Sequence, residues 1–133
     1  MANGCFDLLH AGHVEHLRAA RSMGDGLVVS LTLDEYVGKG PGRPIYTWRE
    51  RAEILRELRC VDLVVPTKNA VDAIRMVQPH IFVKGVDYVE GGWTEDVISA
   101  CKEVGAELKF TSTPKKSASE AIRKIIAIDG RNV

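Results

Sequence analysis

The sequence predicts an α/β domain: a doubly wound, parallel five-stranded sheet with helices on both faces. Two observations carry this. Short, β-branched apolar runs alternate with segments of helical period along the whole 133-residue chain, the pattern of a parallel sheet covered on both sides. The clearest run, Leu27-Val28-Val29-Ser30-Leu31-Thr32-Leu33, is apolar almost throughout and reads as a buried strand.

The elements follow in order. Val14, Leu17 and Ala20 recur with helical period in the first helix, and Gly24 supplies its stop. After the Leu27–Leu33 strand comes Gly38-Lys39-Gly40-Pro41-Gly42-Arg43-Pro44, too rich in Gly and Pro for a regular element. Thr47 followed by Glu50 is a capping box for a second helix, with Ala52, Leu55 and Leu58 as its core face. Val61 to Val65 is a strand closed by Pro66, and Asn69 caps a third helix carrying Val71, Ile74 and Val77, ended by Pro79. Ile81-Phe82-Val83 is the next strand, Thr94 to Val104 a helix stopped by Gly105, and Glu107 to Thr111 the last strand. Ser117 or Ser119 caps a final helix through Ile128. No repeat or linker divides residues 1–133, so a single domain is expected. Only Met1 and Ala2 precede Asn3-Gly4. The first strand is therefore expected to be truncated at its N-terminus, with further residues upstream in the full protein.

Composition bounds the function. Eighteen basic and eighteen acidic residues cancel, so no global charge favours nucleic acid or an anionic membrane, and phosphate binding must be local. Cys5, Cys60 and Cys101 are odd in number and lack a Cys-x-x-Cys spacing, which argues against a disulfide framework or zinc knuckle. No apolar run reaches transmembrane length and no signal peptide is evident. A soluble protein of the reducing cytoplasm is expected.

The chemistry concentrates at His10-Ala11-Gly12-His13, just before the first helix. Two imidazoles around a glycine at a helix N-terminus form a donor pair where partial positive charge already gathers. Such a site suits a phosphate that grows more negative during reaction. Gly12 allows close backbone approach. His10, His13 and His16 with Cys5 do not complete four zinc ligands, so no metal site is assigned. Lys39 is either a solvated loop lysine or a mobile charge that reaches a phosphate. Its loop matches neither Gly-x-x-x-x-Gly-Lys-Ser/Thr nor Gly-x-Gly-x-x-Gly. Asp87, following Lys84-Gly85 after a strand, is a turn residue or a ligand contact at the carboxyl edge of the sheet. Ser117 and Ser119 are N-caps or phosphate contacts.

Gly4-Cys5-Phe6-Asp7-Leu8-Leu9-His10-Ala11-Gly12-His13 closely resembles the signature of the cytidylyltransferase-like nucleotidyltransferases. Later landmarks fall in the same order: Arg43-Pro44-Ile45, Arg51, Val61-Asp62, Lys84-Gly85-Val86-Asp87-Tyr88 and Ser117-Ala118-Ser119. The resemblance implies a Rossmann-like sheet and a reaction in which a phosphate displaces pyrophosphate from the α-phosphate of a nucleoside triphosphate. It implies His10, His13, Lys39 and Arg51 as catalytic residues. It places Gly4, Cys5, Phe6, Asp7, Gly12, Lys84, Gly85, Asp87, Ser117 and Ser119 around the nucleotide, with Asp7 organising the motif turn. It also implies Mg²⁺ carried with the triphosphate, a phosphorylated sugar or polyol as acceptor, and a homodimer. Lys84-Gly85-x-Asp87-Tyr88 is similar to the branch that adenylylates heptose 1-phosphate with ATP. The glycerol-3-phosphate cytidylyltransferases share the opening motif but carry an arginine before the last helix that this chain lacks. Arg49, Val86 and Ala118 depart from the family pattern, so an inactive nucleotide-binding module is the alternative from another class.

Overall fold

Strand β1 (Ala2–Gly4) forms the centre of the sheet in a computed structural model that describes residues 1–85, 93–112 and 122–127. It is followed by α1 (Ala11–Arg21), β2 (Val28–Thr32), a 3₁₀ turn (Asp34–Tyr36), α2 (Trp48–Arg56), β3 (Leu63–Thr67) and α3 (Ala70–Val77). Then come β4 (Ile81–Gly85), α4 (Glu95–Val104) and β5 (Glu107–Thr111). Residues 122–127 are also helical. The strand order is β3-β2-β1-β4-β5, and every pairing is parallel.

That order is the Rossmann-like arrangement, with a topological switch point between β1 and β4 where α/β proteins bind ligands. Two cores flank the sheet. Leu17, Ala20, Ala52 and Leu55 from α1 and α2 pack on one face with Leu27, Val29 and Leu31. Ala73 and Ile74 of α3 pack on the other with Phe82 and with Val97, Ala100 and Cys101 of α4. β1 is only three residues long, yet its pairing extends backward. The Met1 amino group donates to the Ile81 carbonyl at 2.6 Å, and the Val83 amide donates to the Met1 carbonyl at 2.9 Å.

Local signals place the helices. The Thr47–Glu50 capping box forms in both directions, Asn69 accepts from the Asp72 amide, and Gly105 ends α4 at φ +75. Three expectations need correction. Pro66 does not close β3 but lies inside it, opposite Leu31. β3 is the edge of the sheet, where a missing amide forfeits no ladder bond on the open side. Leu58 lies beyond the end of α2, where it is half-buried and still packs against the core formed with Ala52 and Leu55. α1 ends at Ser22 rather than Gly24, with the Ser22 amide bonded to the Arg18 carbonyl.

Candidate active site

The loop between β1 and α1 delivers the histidine pair. Phe6 and Leu8 both take left-handed backbone, at φ 44 and 55, a conformation that costs non-glycine residues about 1–3 kcal/mol each. Asp7, between them, is what holds the loop there. Its Oδ2 accepts from Arg43 Nε at 3.0 Å and from the Ile45 amide at 2.6 Å, and its Oδ1 accepts from the Tyr46 amide at 3.0 Å. Burial opposes the carboxylate, but the two amides and the Arg43 guanidinium outweigh it and hold the carboxyl below its ordinary range. Gly4 is required by close approach: a Cβ there would lie 2.9 Å from the Phe6 ring. Phe6 in turn is buried and meets His13 edge-on, with ring centroids 5.5 Å apart.

His10 is the N-cap of α1, and it forms a reciprocal capping box with His13. His10 Nδ1 accepts from the Gly12 amide at 3.1 Å, while His13 Nδ1 accepts from the His10 amide at 3.2 Å. A ring nitrogen that accepts carries no hydrogen, so the bonding pattern assigns the proton of each ring to Nε2. The rings stack at 3.8 Å between centroids. His13 is pushed down to about 4 by burial, then by the charges of His10, Lys39 and His16. It is therefore a neutral donor at pH 7. His10 Nε2 is buried without a hydrogen-bond partner among the described residues. An unsatisfied buried donor is costly, and an anionic oxygen at this helix terminus would satisfy it.

The other expected residues divide. Lys39 lies in the exposed loop, and its charge is among those acting on His13. Cys5 is half-buried and contributes its carbonyl to Arg51. Arg51, which the resemblance makes a phosphate contact, has a fully buried side chain. It donates to the Tyr46 carbonyl at 3.0 Å, the Cys5 carbonyl at 2.7 Å and Asp34 at 2.6 Å. It presents no surface to a ligand and acts as a strut joining three segments. Gly85 ends β4, and the Lys84 ammonium sits 5.0 Å from the centre of the Trp93 ring. Burial lowers the Lys84 pKa, with Asp96 opposing. Asp87, Ser117 and Ser119 lie outside the described residues.

Sequence reasoning missed the Asp7–Arg43 ion pair, the Asp34 partner of Arg51, and a bond of 2.7 Å between His16 Nδ1 and Thr111 Oγ1. Asp7, Arg43 and Arg51 each carried a signal as parts of the motif and its landmarks, but nothing in the sequence paired them with these partners. Among the described residues no group of three or more His, Cys, Asp or Glu is placed to hold a metal ion. No helix among them is long and apolar enough to cross a membrane.

The fold and site are those of an α/β protein with a stacked, half-buried histidine pair at the switch point of a 3-2-1-4-5 sheet. The chain belongs to the cytidylyltransferase-like family, whose profile matches residues 1–125. It is 41% identical over 131 residues to the bifunctional protein HldE of Methylobacillus flagellatus, an alignment covering 92% of this chain and 26% of that protein. It is 43% identical over 128 residues to the bifunctional protein HldE of Sulfurimonas denitrificans, with the same coverages. The chain thus spans about a quarter of the length of these curated relatives. The crystal structure of the lipopolysaccharide core biosynthesis protein from Thermoplasma volcanium superposes with a TM-score of 0.73 at 27% identity. That match covers 86% of this chain and 96% of the other.

Proposed function

We propose that this chain transfers a nucleoside monophosphate from a nucleoside triphosphate to a sugar phosphate, with ATP and heptose 1-phosphate as the substrate pair. The observation that carries the transfer is the reciprocal His10–His13 box, which spends both Nδ1 atoms on the backbone and leaves both Nε2 atoms as donors. The likeness to proteins named HldE and the Lys84-Gly85-x-Asp87-Tyr88 segment support the heptose pair.

In this reading an acceptor phosphate oxygen bonds to the α-phosphorus, and the bond from that phosphorus to the bridging α–β oxygen breaks. Pyrophosphate leaves with the electron pair. The acceptor is already an anion, so no side chain need remove a proton. The protein's task is alignment and stabilisation of charge on the α-phosphoryl oxygens. His10 and His13 donate to those oxygens, and Lys39 supplies a mobile positive charge from the loop. Asp7 and Arg51 hold the loop from beneath. Both Asp7 oxygens are occupied by protein donors. In this reading magnesium arrives with the triphosphate, as part of the substrate.

The test is pyrophosphate release from ATP or CTP with Mg²⁺ and either heptose 1-phosphate or glycerol 3-phosphate. Turnover is expected with ATP and heptose 1-phosphate. Turnover only with CTP and glycerol 3-phosphate would reassign the substrates. Nucleotide binding without pyrophosphate from any pair would make the chain a binding module. His13→Ala should lower kcat by about 10²–10³, the usual worth of one well-placed donor.

A further inference from the structure

α1 carries a third histidine that the transfer reading does not use. His16 follows His13 by one turn on α1, and its Nδ1 lies 2.7 Å from Thr111 Oγ1. Thr111 is the last residue of β5, almost wholly buried, and stands in register with Gly85, the last residue of β4. The pair therefore ties the helix bearing His10 and His13 to the carboxyl end of the β4–β5 pair, across a span of 95 residues in sequence.

A half-buried imidazole paired with a buried hydroxyl is a poor way to gain stability. Each group loses water on burial and recovers that loss only through hydrogen bonds, whereas apolar side chains of similar shape avoid it. What the polar pair adds is direction. A hydrogen bond fixes the distance and angle between α1 and β5 in a way that apolar contact does not.

We propose that His16 is a positioning residue for nucleotide binding, holding the histidine-bearing end of α1 in register with the β4–β5 edge through Thr111. This rests on the transfer reading, in which Lys84 and Gly85 lie on the nucleotide side. The bond acts before chemistry, so its loss is expected in nucleotide affinity rather than in the chemical step.

The experiment measures kcat and KM for ATP by pyrophosphate release, ATP affinity by calorimetry, and thermal stability. It uses the full chain and the variants His16→Leu, Thr111→Val, the two combined, and His16→Asn. Each single apolar variant should raise KM and the ATP dissociation constant about fivefold, the worth of one net hydrogen bond, with kcat within about twofold. The combined variant should be no worse than either single one and should melt no lower than they do. His16→Asn, whose amide reaches the Nδ1 position, should recover most of the affinity. A combined variant with wild-type KM and ATP affinity would overturn the proposal, as would single effects that simply multiply. Absence of pyrophosphate from the wild-type chain with every substrate pair would sink the transfer reading instead, and calorimetry keeps the two failures apart.

Discussion

His13 sits with its ring buried beside His10 and within reach of the Lys39 and His16 charges, which together bring its pKa from the ordinary 6.5 to about 4. A lowered histidine contributes stability that is fully present above the unfolded value near 6.5 and is lost as pH falls towards the folded value. Chemical denaturation midpoints should therefore drop between pH 6.5 and 4. His13→Gln, which cannot titrate, should flatten that slope, and an unchanged slope would remove His13 as its source. Asp7 calls for a different test. Its side chain is 0% exposed and that of its partner Arg43 is 6% exposed, so the pair is largely shielded from water. Asp7→Asn removes the charge opposite Arg43 and turns an amide NH₂ toward groups that are all donors. Breaking such a buried pair costs about 3–5 kcal/mol, and a variant with wild-type stability by urea denaturation would show that the pair is not what holds the loop. These roles differ in how far they could be read from sequence. His10 and His13 are three residues apart, so a local spacing rule finds them. The Arg51 partners Asp34 and Cys5 are 17 and 46 residues away, and only the folded chain brings them together.

Helices were the most legible elements because their ends are set within a single turn. Thr47 with Glu50, and Asn69 with the Asp72 amide, satisfy amides that no neighbouring turn can reach. Strand limits were less legible. Pro66 looks like a terminator in sequence, and only its edge position lets it pair in register. The β1–α1 loop shows how one element depends on a missing side chain. A Cβ on Gly4 would meet the Phe6 ring at 2.9 Å, and Phe6 supports the edge of His13. Gly4→Ala should displace that ring and lower kcat by roughly ten- to a hundredfold, since small misplacements of an aligned donor are costly. Unchanged kcat would mean that the loop absorbs the methyl without moving His13.

At the scale of the molecule, the sheet order places the ends of β1 and β4 side by side, and the β1–α1 loop rises from that junction. A nucleotide bound there would contact segments far apart in the chain, so its binding energy should appear in global stability. At about one hundred times its dissociation constant, ATP should stabilise the fold by about 2.7 kcal/mol. A melting temperature that ignores ATP at saturating concentration would argue against a site at this junction.

Sequence alone determined the alternation of strands and helices, the Thr47 and Asn69 caps and the histidine pair at the start of α1. Each of these follows from interactions among residues within about one turn or one strand. Tertiary structure decided the rest. It made Arg51 a buried strut, gave Asp7 its three donors, brought His16 to Thr111 and held His13 neutral. Burial and long-range hydrogen bonds depend on which segments the topology brings together, and no local pattern of residues encodes that.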